Sequence, residues 1–389
     1  MKIISKKSKI TADILDTLLS PCWILEEHLL IQNLETLRYI KEQTGAKILL
    51  ALKGYSLWST FDIVSQYLDG CCASGLHEAM LADEKFGKEV HTYSPAFTAE
   101  NIGDIAALSH HLVFNSPTQL KSLSALAKKA NISLSIGIRV NPERSSSPVA
   151  MYDPCAAYSR LGTISKNIDS FILDNIDGLH FHALCERDAS ALESVLEAFE
   201  DRFGIYLPQM KWVNFGGGHH ITRKGYDIDK LIKIISDFKR KYPHLEIYLE
   251  PGEAIGWETG VLVSTVLDIV QNDIDIAILD TSAEAHMPDT IIMPYRAEVR
   301  DSAEAGQKPY TYRLAGNTCL AGDIMGDYSF DEPLRVGDKV IFEDQIHYTM
   351  VKATTFNGIP LPSIAILRDD GKVELVREFG YDAFKERLS

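Results

Sequence analysis

The sequence predicts an α/β protein, a (β/α)8 TIM-type barrel with a second, mainly β domain, and three observations carry that prediction. Eight short apolar runs recur at 47–52, 70–73, 90–93, 111–114, 134–140, 178–183, 212–215 and 246–249. Between them, segments such as 76–86, 118–129, 189–203 and 227–242 carry apolar residues at three- and four-residue spacing, the period of an amphipathic helix. From about Trp257 the texture changes to strand-like stretches at 260–269, 274–279, 310–314, 339–342 and 363–367, and helical periodicity fades until the last dozen residues. Strands alternating with helices eight times is the pattern of a closed parallel barrel. An open doubly wound sheet reads similarly by periodicity, and the count of eight favours closure.

Taken in order, a short strand at 22–25 precedes the first barrel helix at about 27–43, so it and its flanks can join the later β domain. The expected division is therefore 27–256 for the barrel and 1–26 plus 257–389 for the β domain. A loop at 141–162, rich in Ser, Pro and Tyr, follows the fifth barrel strand, on the face where barrels place their active sites. At 389 residues, 46% hydrophobic and 24% charged, the chain has room for both domains. A formal charge of -15 argues against nucleic acid or an anionic membrane surface as partner and leaves room for a cationic substrate. No run of about 18 apolar residues occurs, and the basic start MKIISKKSKITADI lacks an apolar core and a small-residue cleavage site, so a cytoplasmic location is expected. Six cysteines at irregular spacing, without a CxxC pair, fit neither a disulfide framework nor a zinc site; no metal is expected, and most read as buried thiols.

One lysine interrupts the first apolar run, in ILLALKGYSLW at 48–58. Buried among aliphatic side chains, an ammonium costs several kcal/mol unless paired, and desolvation pushes it toward the free amine, a nucleophile for aldehydes. Lys53 is thus a candidate for a Schiff base with pyridoxal phosphate; a strand-end lysine that snorkels into solvent is the alternative. In a barrel the C-terminal strand ends converge on one mouth, so the other ends must supply the rest of such a site. The fifth strand ends in Arg139, near a cofactor or in a surface salt bridge. The sixth ends in Leu179-His180-Phe181-His182, whose alternation turns both histidines to one side; His182 can stack on a pyridine ring or be a satisfied structural histidine. The seventh ends in three glycines, Gly216, Gly217 and Gly218, either a phosphate cradle of backbone N–H groups or a flexible turn. The eighth ends in Glu250-Pro251-Gly252-Glu253, where Glu250 can hold a pyridine nitrogen protonated.

Lysine, histidine, triple glycine and Glu-Pro-Gly in this order are a specific combination. With ALKGY around Lys53, GLHFHALC around His182, FGGG, EPGEA, GNTCLAGD at 316–323 and IFEDQIHYTMVKATTFNG at 341–358, the chain resembles the alanine-racemase-like (fold type III) barrel class of pyridoxal-phosphate enzymes. Within that class it is similar to the basic amino acid decarboxylases, which act on ornithine, arginine and diaminopimelate, over about Pro21 to Gly358. The resemblance implies pyridoxal 5'-phosphate on Lys53, with Arg139, His182, Gly216–Gly218, Glu250 and Tyr348 around it. It also implies a homodimer with shared sites, in which Cys319 enters the neighbouring subunit's barrel and returns a proton after CO2 leaves.

Three departures stand out: Glu253 where the family often has Arg, Leu320 where it has an acid after the cysteine, and Cys185 in place of the usual serine. LKGY, HFHALCE, EPGEA, CLAGD and LDTSAEAHMPD at 279–289 look most like the branch that decarboxylates carboxynorspermidine and carboxyspermidine in polyamine biosynthesis. That implies a small cationic carboxy-polyamine substrate whose distal amines meet Glu253, Asp289 and Asp323, unless those acids are solvated loop residues. Rival readings are a decarboxylase of a basic amino acid, a racemase, against which the cysteine motif speaks, and a non-enzymatic pyridoxal-phosphate carrier, which would resemble a lone barrel.

Overall fold

The structure, a computed structural model, describes residues 6–147 and 149–389. Strand β1 (Cys22–Glu26) runs into the helix Glu27–Thr44, and eight further strands then close into a parallel barrel. They are β2 (Lys47–Ala51), β3 (Gly70–Ala73), β4 (Glu89–Tyr93), β5 (His111–Phe114), β6 (Ser135–Arg139), β7 (Gly178–His180), β8 (Trp212–Asn214) and β9 (Glu246–Leu249), with β9 closing on β2 through Lys47–Tyr248 and Ile48–Leu249. Covered on both faces, these strands need continuous aliphatic runs, and Ile48, Leu49 and Leu50 are fully buried. The outer helices are specified locally. Pro117–Ala130 starts at Ser116, whose hydroxyl accepts from Gln119 N–H, with Pro117 in the first turn. Ile228–Lys241 starts at Asp227, which accepts from Lys230 N–H, buries Leu231, Ile235 and Phe238, and carries Lys239, Arg240 and Lys241 against the negative end of its dipole.

The N-terminal end of the barrel is filled by a polar plug. Lys47 lies 2.5 Å from Glu89 and 2.8 Å from Glu246, and His91 stacks on His111 at 3.9 Å. His111 in turn stacks on Trp212 at 4.7 Å. Chemistry that needs an open mouth is therefore confined to the C-terminal ends.

The β unit adds β10 (Gly260–Asn272), β11 (Ile274–Leu279), β12 (Ala303–Glu304), β13 (Tyr310–Ala315), β14 (Ile324–Phe330), β15 (Lys339–Glu343), β16 (Ser363–Leu367) and β17 (Val373–Arg377). Its sheet runs β12-β14-β13-β11-β10-β1-β16-β17, with β15 also on β10. The first half of β10 packs inside a cluster that includes Ile24, Val261, Val263, Ile341, Ala365 and Leu367. The early strand thus does join this sheet, antiparallel to β10 and parallel to β16.

Contacts divide the described chain into Asn33–Ile255 and Lys6–Gln32 with Gly256–Ser389, a division inside the helix Glu27–Thr44 rather than at its start. Strand β14 escapes the apolar pattern because Gly326 and Asp327 interrupt IMGDYSF; Asp327 pairs with Arg313 of β13 at 2.7 Å. The thiols also depart from expectation: only Cys22 and Cys71 are buried, Cys72, Cys155 and Cys185 are partly so, and Cys319 is exposed. Among the described residues no helix is long and apolar enough to cross a membrane.

Candidate active site

Lys53 follows β2 by two residues, in a turn held by Gly54 N–H and Tyr55 N–H, both donating to Ala51 O at 3.0 and 3.2 Å. Of the two placements open for this lysine, the structure has the solvent-facing one: the strand ends at Ala51, the chain has already turned outward, and Lys53 is exposed. Its ammonium still acts on the barrel mouth, where its charge bears on His180, His182 and Glu250.

Glu250 directly follows β9. Its Oε1 accepts from Asn214 Nδ2 at 2.7 Å, and its Oε2 lies 3.3 Å from His180 Nε2. Burial pushes the carboxyl up, but the His180 ring, Lys53 and Asn214 outweigh it. Burial also pushes His180 down, against the opposing pull of Glu250, which leaves that ring neutral at pH 7. An ionised Glu250 is therefore owed first to the adjoining His180 ring, and then to the Lys53 charge and the Asn214 amide donor.

His182, two residues further on, accepts at Nδ1 from Gly217 N–H at 3.0 Å, which fixes its remaining proton on Nε2. Burial, Lys53 and Arg139 push it well below its ordinary value, so it too is neutral. Arg139 is buried rather than in a surface salt bridge. Its Nη2 donates to His182 O at 2.8 Å, and its guanidinium lies 4.7 Å from the centre of the Tyr93 ring.

The glycine run is demanded first by packing. Gly216 and Gly218 have φ of +69° and +85°, and a Cβ at Gly217 would stand 2.1 Å from Glu250 O. Two N–H groups are used internally, Gly216 to Asn214 Oδ1 at 2.8 Å and Gly217 to His182 Nδ1. Gly218 N–H meets no described acceptor, so the cradle for an anion is narrower than three glycines suggest. Glu253 lies 2.9 Å from His220 Nε2.

The other candidates lie in the β unit. Cys319 is exposed in the loop after β13, its N–H donating to Asn357 Oδ1 at 2.7 Å. Leu320 beside it is 42% exposed. Tyr348 opens the short helix Tyr348–Val351. Two acids expected to meet substrate amines have partners within the chain. Asp289 is neutralised by Lys352. Asp323 is buried and saturated: Oδ1 accepts from Ala283 N–H at 2.7 Å and Glu284 N–H at 3.3 Å, and Oδ2 from Ser282 Oγ at 2.9 Å, Thr318 N–H at 3.2 Å and Thr318 Oγ1 at 2.6 Å. It ties the cysteine loop to the helix Ala283–His286. Sequence reasoning missed His180, Asn214 and Tyr93, although alternation along HFH had placed His180 on the same side as His182.

The barrel residues fit pyridoxal phosphate: a reachable amine, a buried carboxylate beside an orphaned histidine, a neutral imidazole and a free glycine N–H at one mouth. The family model described as pyridoxal-dependent decarboxylase, C-terminal sheet domain, matches residues 22–345. The chain belongs to the pyridoxal-dependent decarboxylases. Among members of this family, the carboxynorspermidine/carboxyspermidine decarboxylase of Campylobacter jejuni is 52% identical over 95% of this chain and 98% of its own. The carboxyaminopropylagmatine decarboxylase of a Synechocystis strain is 46% identical over 96% of each. The crystal structure of carboxynorspermidine decarboxylase with norspermidine from Campylobacter jejuni superposes with a TM-score of 0.89, at 50% identity and over 95% of this chain and 100% of that one. Diaminopimelate decarboxylase from Helicobacter pylori, at 18% identity and a TM-score of 0.81, shares the fold. This decarboxylase accordingly takes pyridoxal phosphate as its cofactor.

Proposed function

We propose that this decarboxylase releases CO2 from carboxynorspermidine and carboxyspermidine, leaving norspermidine and spermidine. The observation that carries the reading is the 52% identity, over nearly both full chains, to an enzyme named for those two substrates. The norspermidine bound in the Campylobacter structure supports it.

In this reading Lys53 would hold the cofactor covalently, as an amine whose charge bears on both Glu250 and His182. Glu250 would keep the cofactor's ring nitrogen protonated, and the neutral His182 ring, fixed by Gly217, would pack on the cofactor ring. Gly216–Gly218 shape the phosphate end, with Gly218 N–H as the donor still available. Arg139 holds the His182 backbone in register through its hydrogen bond. The bound cofactor supplies an electron sink for the pair left when CO2 departs. Cys319 would return the proton to the substrate carbon, and Tyr348 would hold the cofactor's phosphate. Cys319 acts from the partner subunit of a cytoplasmic homodimer, an assignment supported by the motif resemblance and by the exposure of Cys319. Glu253, 2.9 Å from His220 Nε2, is the acid assigned to a substrate ammonium.

The 46% identity to the Synechocystis enzyme supports a second reading, with carboxyaminopropylagmatine as substrate. Leu320 separates both from the amino acid decarboxylases, because a short substrate would leave its distal ammonium beside leucine, at a cost of about 1–3 kcal/mol or more. CO2 release from a panel of carboxynorspermidine, carboxyspermidine, carboxyaminopropylagmatine, ornithine, lysine, arginine and diaminopimelate tests the proposal. The first two should lead the amino acids by about 100-fold or more in kcat/KM. Comparable turnover of any of the four amino acids contradicts it, and carboxyaminopropylagmatine in the lead establishes the second reading.

A further inference from the structure

His180 is fully buried, and neither ring nitrogen has a hydrogen-bond partner among the described residues. A buried imidazole without a partner forfeits the bonds it had in water, so its retention at this place needs a reason. Its ring sits 5.5 Å from that of Tyr93, and its Nε2 stands 3.3 Å from Glu250 Oε2, turned slightly out of hydrogen-bond alignment. Asn214 already donates to the other oxygen of the same carboxylate. Among the described residues His180 is thus a second donor within reach of Glu250, and catalytic hydrogen bonds that are misaligned without substrate tighten in the complex.

We propose that His180 is a positioning residue for Glu250, donating from Nε2 to Oε2 so that the carboxylate stays an anion aimed at the cofactor's ring nitrogen. This rests on the reading that Glu250 pairs with that nitrogen. Two donors, one on each oxygen, lower the basicity of the carboxylate, and the shared proton then stays on the ring. The titratable and charged groups around the pair are Lys53, Cys72, His91, Tyr93, Arg139 and His182. Cys72, His91, Tyr93 and His182 are held neutral by burial, so the cations are Lys53 and Arg139. Both disfavour an imidazolium at His180, which suits a neutral donor. Once Lys53 is bonded to the cofactor its ammonium no longer supports the carboxylate, and the two neutral donors carry more of that task.

The test titrates cofactor-free protein with pyridoxal phosphate by absorbance between pH 5 and 8, for wild type, His180→Leu, His180→Gln and Glu250→Gln. Removing a donor to a charged acceptor should weaken binding by about 10- to 100-fold in His180→Leu. It should also move the acid midpoint of binding upward, because burial then acts on Glu250 with one donor fewer. His180→Gln, which restores an N–H donor, should recover most of both effects. Equal losses in the Leu and Gln variants, or an unmoved midpoint in His180→Leu, overturn the proposal and make the ring a packing element. If Glu250→Gln binds the cofactor like wild type at every pH, the ring-nitrogen reading falls and the proposal with it.

Discussion

Replacing Asp323 with Asn separates a structural carboxylate from a substrate contact at one position. The carboxylate accepts five donors, two on Oδ1 and three on Oδ2. An amide can present its oxygen to one set only. Turned toward Ala283 and Glu284, it strands Thr318 N–H, while the two hydroxyls can rotate to accept from the new NH2. Turned the other way, it strands two backbone N–H groups. One buried donor without an acceptor costs about 1–3 kcal/mol, and the surviving bonds lose their charge assistance, so the cheaper orientation costs ~2–4 kcal/mol. At about 2–4 °C per kcal/mol for a unit of roughly 150–250 residues, the melting midpoint should fall by roughly 4–16 °C. Differential scanning calorimetry measures that, and steady-state CO2 release at a temperature where the variant is folded measures KM. The hub account expects a lower midpoint and KM for carboxynorspermidine within about two-fold of wild type. An Asn variant that melts like wild type but shows a KM raised tenfold refutes the reasoning and returns Asp323 to the substrate.

Gly217→Ala places a methyl 2.1 Å from Glu250 O; the variant should fold yet hold the cofactor weakly, read by loss of its visible absorbance on gel filtration. In the barrel plug, burial and then His91 push His111 down to about 2, so the unfolded chain takes up a proton below about pH 6.5 that the folded chain refuses. Stability should fall as pH drops from there, and His111→Phe should flatten the urea midpoint between pH 6.5 and 5. A midpoint that stays as pH-dependent as wild type excludes His111 as the source. Glu89 acts lower. Burial raises it but His91 and Lys47 hold it at about 2, so its contribution is present above about pH 4.5 and lost as pH falls toward 2. If sites are shared, mixing inactive Lys53→Ala and Cys319→Ala homodimers with subunit exchange should restore roughly a quarter of wild-type activity. Heterodimers that form without recovery would place both residues in one subunit's site.

The strand ends were legible because barrel strands must be apolar along their length, so a polar residue or a glycine run at a strand's close stands out. Lys53, His182, Gly216–Gly218 and Glu250 all lie where that logic put them, just past β2, β7, β8 and β9. The choice between a buried and an exposed Lys53 is not legible in the sequence because Leu52, although buried, already belongs to the turn; an apolar run does not reveal where its backbone leaves the strand. The partners of Asp323 and Asp289 are not legible in the sequence, because the donors on Asp323 are mostly backbone N–H groups and the partner of Asp289 lies 63 residues away. His180 was visible as a letter but not as a function, since its importance lies in ring nitrogens without a hydrogen-bond partner among the described residues and in Nε2 standing 3.3 Å from Glu250, which only three-dimensional packing reveals. The interrupted strand β14 hid behind Gly326 and Asp327 for a similar reason: an Asp paired across strands reads as a turn in one dimension.

The claim on which the account turns is that Lys53 is the amine holding the cofactor at the barrel mouth. Borohydride reduction of the purified holoenzyme, followed by digestion and tandem mass spectrometry, locates the reduced cofactor on a single residue. The account predicts the adduct on the peptide carrying LKGYSLW, assigned to Lys53, and its disappearance in Lys53→Ala. An adduct on any other lysine, or one that persists in that variant, would contradict it.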